Sequence, residues 1–294
     1  MKYSTNKKAL DPIGDAKKIQ ELKLCAIHHR KKLLELGKDL SIRLHYGAAT
    51  SSVEILTTLY KVWMTYDPEE PQWNDRDRFV LSKGHAAPSL YITLSSCGFF
   101  PDSEFKNFRR LHSMLQGHPD RKKTPGVDCS TGSLGQGFPV AAGMALGGKA
   151  DNASYKVYVL MSDGECNEGS IWEAALISAN YKLDNFIVLL DWNKKSSYGE
   201  MKRRNDVVPL DKKWEAFGWN IIMCDGHDFI SLTQALENAE NTKDQPSILL
   251  CNTVKGKGIP YVEDNRTPSN FMLSDKQYAE AMAYLETLEV EICL

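Results

Sequence analysis

Short apolar runs alternate with amphipathic segments along this chain, a pattern that is typical of α/β proteins. Residues 157–161 and 186–190 are apolar and rich in β-branched side chains, as in parallel strands that are buried on both faces. Between the two runs, Trp172, Ala175 and Ala179 recur at helical spacing, and small side chains let a helix lie close to a sheet. The stretch therefore predicts a strand–helix–strand unit with parallel strands.

The same patterns predict further elements on either side of this unit. Strand candidates are residues 79–81, 219–224 and 247–253; helix candidates are residues 12–36, which Gly37 can terminate, and 232–241. Helix starts are predicted at Asn167, as an N-cap, and at two capping boxes, Ser51 with Glu54 and Ser274 with Gln277. Residues 194–211 are polar and predict a surface loop.

The composition excludes several classes of protein. The chain has 294 residues, enough for one large domain or two small ones, and its net charge of −2 gives no basic field for nucleic acid. No apolar run reaches the roughly 18 residues of a membrane span, and no apolar signal segment follows the N-terminal lysines. The seven cysteines lack paired close spacing, which indicates reduced thiols. We therefore expect a cytoplasmic protein that binds neither nucleic acid nor membrane.

Polar side chains follow both strands of the central unit. Asp163 comes directly after the first strand and Asn193 shortly after the second, and ligands in open α/β sheets bind outside the carboxyl ends of the strands. Carboxylate and amide oxygens suit Mg²⁺, and a helix start nearby adds N–H groups for an anion. From the residues alone, a metal–diphosphate site and an ordinary turn followed by a loop residue both stay open.

Histidines and glycines are the other candidate functional residues. His28 and His29 are neighbours on a predicted helix and point in different directions, so we expect structural roles for both. His227 follows a predicted strand, and a structural role and a site role stay equally open. Residues 131–137 contain three glycines, which permit close approach of the backbone to a flat ligand, although the segment lacks GxGxxG and the Walker lysine.

Several separate motifs together resemble the thiamine diphosphate-dependent transketolases. Asp163-Gly164-Glu165 with Asn193 matches the cofactor fingerprint, with Ser162 in place of its first glycine. Further family motifs are matched by Ser82-Lys83-Gly84-His85, Gly117-His118-Pro119 and Gly132-Ser133-Leu134. The similarity extends from about His45 to Asn265 and is strongest towards the amino-terminal half of transketolases that are split into two subunits.

The resemblance implies a fold, a cofactor and a set of site residues. The fold is a three-layer α/β sandwich with a mostly parallel central sheet. It is a single diphosphate-binding domain over residues 1–294, with a polar arm at about 1–12 and a helical tail at about 270–294.

The implied cofactor is thiamine diphosphate, held through Mg²⁺ or Ca²⁺. The implied metal contacts are Asp163, Asn193 and the backbone carbonyl of Lys195. The implied cofactor contacts are His85, Gly132, Ser133, Leu134, Asp163, Gly164, Glu165 and Asn193. The implied catalytic residues, which contact the sugar, are His45, His85 and His118.

The resemblance also implies a second polypeptide. In this family a glutamate on a pyrimidine-binding domain activates the cofactor, and the chain ends about where that domain would begin. We expect a carboxy-terminal transketolase subunit of similar size in an α₂β₂ arrangement, with small sugars as substrates.

The implied reaction is the transfer of a two-carbon ketol unit from a ketose phosphate to an aldose. Leu44-His45-Tyr46-Gly47 stands where transketolases have Gly-His-Pro-Gly, and residues 266–270 stand where split transketolases have Trp-His-Gly. Both departures favour a specialised relative that acts on an unusual sugar or on a non-sugar or carrier-bound acceptor. Two alternatives stay open: the α subunit of a 2-oxoacid dehydrogenase-type decarboxylase, against which the Ser-Lys-Gly-His and Gly-His-Pro motifs argue, and a non-catalytic cofactor-binding partner.

Overall fold

The computed structural model describes residues 7–196, 199–200, 205–263 and 270–294, and a parallel sheet lies at its centre. The strands are β1 (Arg78–Leu81), β2 (Val157–Ser162), β3 (Phe186–Trp192), β4 (Lys195–Ser196), β5 (Gly199–Glu200), β6 (Asn220–Asp225) and β7 (Ser247–Asn252). The longer strands pair in parallel in the order β1-β2-β3-β7-β6, whereas β4 and β5 form a separate antiparallel pair. Each strand that the apolar runs predicted is therefore confirmed.

Helices cover both faces of this sheet. They are α1 (Ala16–Asp39), α2 (Tyr46–Thr50), α3 (Val53–Thr58), α4 (Ala87–Ser96), α5 (Gly137–Ala150), α6 (Gly169–Asn180), α7 (Leu210–Ala216), α8 (Phe229–Asn241), α9 (Pro260–Glu263) and α10 (Asp275–Cys293). Short 3₁₀ turns lie at Gly84–Ala86, Asp102–Asn107 and Asp163–Asn167, and a π-helical turn, Leu59–Trp63, follows α3. Among the described residues, no helix is both long enough and apolar enough to cross a bilayer.

Two hydrophobic cores lie on opposite faces of the sheet. Side chains alternate along β2, where Tyr158 and Leu160 pack into one core and Val159 and Met161 into the other. Helices α1, α3, α4, α8 and α10 contribute to the first core, and α5, α6 and α7 to the second. A strand that is apolar at every position is the expected result, since both of its faces are covered. The predicted three-layer α/β sandwich is confirmed.

The predicted capping box of α3 is wrong, because its side chains have tertiary partners. The N-cap residue of α3 is Ser52, which makes no side-chain capping bond. Ser51 instead donates its hydroxyl to the carboxylate of Asp191 at 2.6 Å. The carboxylate of Glu54 is buried against the guanidinium of Arg30.

The predicted start of α6 is also displaced. Its N-cap residue is Glu168, and Asn167 ends the preceding 3₁₀ turn. That turn carries a capping box of its own, formed by Ser162 and Glu165. The polypeptide therefore makes a tight extra turn between β2 and α6, directly where the candidate site lies.

The predicted end of α1 is wrong, whereas the predicted start of α10 is confirmed. Gly37 does not terminate α1, which continues to Asp39. A Cβ atom on residue 37 would lie 1.7 Å from Tyr46 Oη, so this glycine lets the tyrosine of α2 pack closely against α1. At α10 the predicted capping box is confirmed, with Ser274 and Gln277 bonding each other's backbone N–H groups.

Some predicted features fall outside the described residues. These are residues 1–6 of the polar arm, residues 197–198 and 201–204 of the polar loop, and residues 264–269, where most of the departure from Trp-His-Gly lies.

Candidate active site

Asp163 and Asn193 meet at the carboxyl edge of the sheet. β2 and β3 are neighbours, with Ser162 in register with Asp191, so both strands end at the same level. Asp163 Oδ2 accepts the N–H of Lys194 at 2.6 Å, and its Oδ1 accepts the N–H of Gly164 at 2.7 Å. The fold thus bonds Asp163, a predicted metal contact, to Lys194, the residue that follows the second predicted contact, Asn193.

The electrostatics of this edge favour a cation. Asp163 is 1% exposed, and burial, followed by the nearby carboxylate of Asp191, raises the pKa of Asp163 to about 7. A bound cation would relieve this penalty, because an opposite charge stabilises the ionised carboxylate. The side-chain amide of Asn193 donates to Asp191 Oδ2 at 3.2 Å, which turns its carbonyl oxygen away from that carboxylate.

The oxygen donors available here are hard ligands. Asn193 Oδ1 accepts the N–H of Lys195 at 3.1 Å, while the ammonium group of Lys195 donates to the carbonyl of Glu263 at 3.0 Å. No group of three or more His, Cys, Asp or Glu side chains within the described ranges is placed to hold a metal ion. The candidate set of one carboxylate, one amide oxygen and one backbone carbonyl fits a divalent ion that keeps further oxygen ligands from a phosphate.

A buried ion pair that the sequence patterns did not reveal supports this edge. Lys83 and Asp191 are both fully buried and in contact, and Lys83 also donates to the carbonyl of Ala48 at 3.0 Å. Asp191 accepts the hydroxyls of Ser51 and Thr253 as well. Although burial raises it, Lys83 and these donors hold the pKa of Asp191 below its usual value. One carboxylate on β3 thereby ties together the three segments that carry Ser51, Lys83 and Thr253.

Glycines form a close cradle beside the edge. A Cβ atom on Gly84 would lie 2.9 Å from the backbone nitrogen of Gly132, and Gly135 has a φ of +77°. The N–H of Gly135 donates to Glu165 Oε1 at 2.9 Å, and Ser82 donates to the same oxygen at 2.6 Å. The carboxylate of Glu165 is therefore engaged within the protein, where it shapes the loops on which a flat ligand would rest.

The three predicted catalytic histidines gather around this cradle. The rings of His45 and His85 are 5.4 Å apart between centroids, and a Cβ atom on Gly132 would lie 3.5 Å from Cγ of His118. Burial, followed by the charge of Lys83, lowers the pKa of His85 to about 3. Burial and Arg109 lower the pKa of both His45 and His118. All three rings are therefore neutral near pH 7.

His227 does not join these histidines. Its Nδ1 lies 3.0 Å from Glu54 Oε2, and its Nε2 accepts the N–H of Val254 at 2.8 Å. Both ring nitrogens are thus bonded within the protein. His28 is a surface histidine that pairs with Glu289, as predicted, whereas His29 is buried and its Nε2 has no hydrogen-bond partner among the described residues.

A match to a known protein domain identifies the family of this chain. The model for the transketolase thiamine diphosphate-binding domain matches residues 41–283. The chain belongs to the transketolase family. The predicted family, the thiamine diphosphate cofactor and the ketol-transfer class of reaction are confirmed by this match and by the similarity to named transketolase subunits.

Named transketolase subunits and a solved transketolase are similar to the chain. Over 254 residues it is 41% identical to the 6-deoxy-6-sulfo-D-fructose transketolase subunit SqwG of Clostridium sp. (strain MSTE9), covering 86% of this chain and 92% of that protein. Over 234 residues it is 42% identical to an apulose-4-phosphate transketolase subunit of Actinobacillus succinogenes, covering 80% and 84%. The crystal structure of transketolase from Campylobacter jejuni matches with a TM-score of 0.76 and 27% identity, over 92% of this chain and 48% of that one.

The share of each relative that this chain covers distinguishes the subunit-type transketolases from the solved transketolase. The chain spans most of each subunit-type relative but about half of the solved transketolase chain. The transketolase matches also remove the 2-oxoacid dehydrogenase alternative, because the family model and these relatives all belong to transketolases.

Proposed function

We propose that this chain, with a carboxy-terminal companion subunit, transfers a two-carbon ketol unit from a ketose donor to an aldose or another acceptor. The observation that carries the proposal is the junction of Asp163 with the Asn193 segment at the sheet edge, beside three neutral histidines. A hard-oxygen site next to uncharged proton acceptors is what a diphosphate cofactor and a polyhydroxylated substrate require.

The residues present fit a metal-bound thiamine diphosphate. Asp163, Asn193 and the carbonyl of Lys195 would hold Mg²⁺ or Ca²⁺. The cofactor would lie against His85, Gly132, Ser133, Leu134 and Gly164, with Glu165 shaping the loop. When bound, thiamine diphosphate supplies a carbanion that attacks the ketone and an electron sink for the transferred carbons.

The histidines have a role in moving protons. A neutral imidazole can accept the proton of a sugar hydroxyl, and the low pKa of His85 keeps it neutral throughout the physiological range. We assign His45, His85 and His118 to contacts with the donor sugar and to removal of the C3 hydroxyl proton as the C2–C3 bond breaks. His118 is the most exposed of the three, so it faces the side from which a substrate would enter.

Specialised sugars are the substrates that we favour. The subunit-type relatives are named for 6-deoxy-6-sulfo-D-fructose and for apulose 4-phosphate. Tyr46 replaces the proline of the family motif beside His45 and is fully buried, so the support of this histidine differs from the usual transketolase pattern. Both observations support a donor other than the common pentose phosphates.

We further propose an α₂β₂ assembly in the cytoplasm, with residues 1–294 acting as one diphosphate-binding domain. The relatives that this chain matches over most of their length are named as subunits. All seven cysteines are free thiols, which is typical of a reducing compartment.

Cofactor uptake tests the proposal. In complex with its companion subunit, the chain is titrated with thiamine diphosphate at saturating Mg²⁺, and binding is followed by calorimetry. Asp163→Ala should weaken uptake at least about 100-fold, since it removes a metal ligand. The control Asp151→Ala changes an exposed residue at the end of α5 and should bind like the wild type. Equal uptake by Asp163→Ala, or none by the wild type, would contradict the proposal.

Activity on named donors separates catalysis from mere binding. Xylulose 5-phosphate, 6-deoxy-6-sulfofructose and apulose 4-phosphate are offered with an aldose acceptor, and the ketose product is measured. Uptake of the cofactor without transfer from any of the donors would favour the non-catalytic alternative.

A further inference from the structure

A buried charged network joins α1, α3 and the turn that follows β6. Arg30 on α1 and Glu54 on α3 form two contacts, at 2.7 and 2.8 Å, with only 5% and 7% of their side chains exposed. The third member is His227, whose side chain is 13% exposed. Buried charges of this kind persist only where their hydrogen bonds are satisfied.

The hydrogen bonds of His227 fix the tautomer of its ring. Its Nε2 accepts the N–H of Val254, so this nitrogen carries no proton. Its Nδ1 lies 3.0 Å from Glu54 and must therefore donate to that carboxylate. Although burial raises it, Arg30 and His227 hold the pKa of Glu54 to about 2, so the acceptor is ionised at neutral pH.

This network holds one loop from both ends. The loop, residues 254–257, follows β7 and is bonded by His227 at the N–H of Val254. Arg30 Nε donates to the carbonyl of Lys257 at 2.7 Å. Gly258, with a φ of +84°, leaves room for the Arg30 side chain, because a Cβ atom there would lie 2.7 Å from Arg30 Cδ.

The same loop reaches the active site. The N–H of Gly256 donates to the carbonyl of Gly47 at 3.0 Å, two residues beyond His45. The stem of Lys255 lies against Gly47, since a Cβ atom on residue 47 would be 2.9 Å from its Cγ and Cε. Burial and Arg109 lower the pKa of His45 most, and the charge of Lys255 adds to that lowering. Movement of the loop would therefore shift both the support of His45 and the charge beside it.

We propose that His227 is a positioning residue for the transfer reaction. Together with Arg30 and Glu54 it fixes the 254–257 loop, and the loop fixes the His45 segment. The inference rests on the proposed ketol transfer and adds a residue that touches neither cofactor nor substrate. A displacement of about 1 Å at a reacting group can cost roughly 100-fold in rate, so such a support has a measurable effect.

The test compares three variants of the full chain, each assembled with its companion subunit. His227→Leu removes both hydrogen bonds but leaves the Arg30–Glu54 pair intact, so the buried charges stay paired. His227→Gln keeps one donor for Glu54 and one acceptor for Val254. The matched control is His28→Leu, because His28 is a surface histidine that also pairs with a glutamate.

Two readouts are taken on the same samples. Amide hydrogen exchange, read by mass spectrometry, reports the peptide that contains Val254. Steady-state kinetics with the best donor of the panel give KM and kcat per cofactor-loaded site. We expect His227→Leu to exchange at least about tenfold faster at this peptide and to lose about 10- to 100-fold in kcat, with KM within about threefold. His227→Gln should recover most of the loss, and His28→Leu should match the wild type.

Several outcomes would overturn the inference. Unchanged exchange in His227→Leu means that the ring does not hold the loop. Faster exchange with normal kcat per loaded site, or a loss of activity that only reflects fewer loaded sites, means that the loop does not position the reaction. Absence of transfer by the wild type contradicts the proposed function instead, and the exchange data still decide whether His227 holds the loop.

Discussion

The histidines of the site owe their neutrality to burial and to neighbouring cations. Lys83 lies beside His85, and Arg109 beside His45 and His118. Each ring is therefore unprotonated near pH 7 but is a weaker base than an unperturbed imidazole, and a substrate anion that screens these cations would raise its pKa. This is a property of the residues around the rings, since an unperturbed histidine would be partly charged near pH 6.5.

Alanine variants test the role of these rings. His45→Ala, His85→Ala and His118→Ala should each lower kcat by at least about 100-fold, the usual contribution of a proton-transfer group. The melting temperature should change little, because a catalytic contact with a sugar is absent from the free protein. The control is His28→Ala at the surface. Full turnover in all three variants would remove the assignment.

A fourth histidine makes stability depend on pH. Burial, followed by the charge of Arg30, lowers the pKa of His29 to about 3. In the unfolded chain the ring binds a proton near pH 6.5, whereas the folded protein binds it only near pH 3. The unfolded state therefore gains protons first as the pH falls, and stability is lost below about pH 6.5.

We expect His29→Leu to weaken this acid sensitivity. Between pH 6 and pH 4 the wild type should lose about 1.4 kcal/mol per pH unit through His29, and the variant should lose that much less. Urea denaturation at several pH values measures the slope, with His28→Leu as the control. An identical slope in His29→Leu and the wild type would contradict the prediction.

Site residues were predictable where they follow a strand. The placement of Asp163 and Asn193 at one edge was predictable because each follows an apolar run and the carboxyl ends of the two parallel strands meet there. The pairing of Lys83 with Asp191 was missed, because it depends on how segments far apart in the sequence are folded together. A charged residue at the end of an otherwise apolar run, as at Asp191, is the signal that could have revealed it.

At the scale of elements, strands were easier to predict than helix ends. The central strands β2, β3 and β7 are apolar runs that are buried on both faces, and no tertiary contact alters that pattern. The start of α3 was wrong because Ser51 bonds Asp191 and Glu54 pairs with Arg30. These partners outweigh a local cap, which contributes only about 1 kcal/mol.

Two glycines inside helices give a direct test of helix packing. Gly37 in α1 faces Tyr46, whereas a Cβ atom on Gly143 in α5 would meet nothing within 4 Å. Gly37→Ala should destabilise the chain by about 1–3 kcal/mol through overpacking. Gly143→Ala should stabilise it by up to about 1 kcal/mol, because alanine favours the helix. Chemical denaturation of the two variants checks this, and changes of the same sign and size would refute it.

At the scale of the whole molecule, the sheet brings distant segments to one edge. β7 lies between β3 and β6, so the loop after β7 adjoins the end of β3. Apolar periodicity could predict that these strands exist but not this order, which is set by how the helices pack on both faces. The order explains why Thr253 reaches Asp191.

Assembly is the property of the whole molecule that we predict. When co-expressed, the chain and its carboxy-terminal companion should elute together in size-exclusion chromatography at the mass of an α₂β₂ complex. Only the complex should transfer the ketol unit, since we expect the companion to supply the glutamate that activates the cofactor. Full activity of the isolated chain would exclude this arrangement.

The contact between Lys255 and the backbone of Gly47 also bears on how such enzymes can be diversified. A side chain at position 47 needs the space that the lysine stem already fills, so the two positions have to change together. A mutant library that varies only the segment around His45 should therefore return glycine at 47. New substrate preferences in that segment call for libraries in which residue 255 is randomised as well.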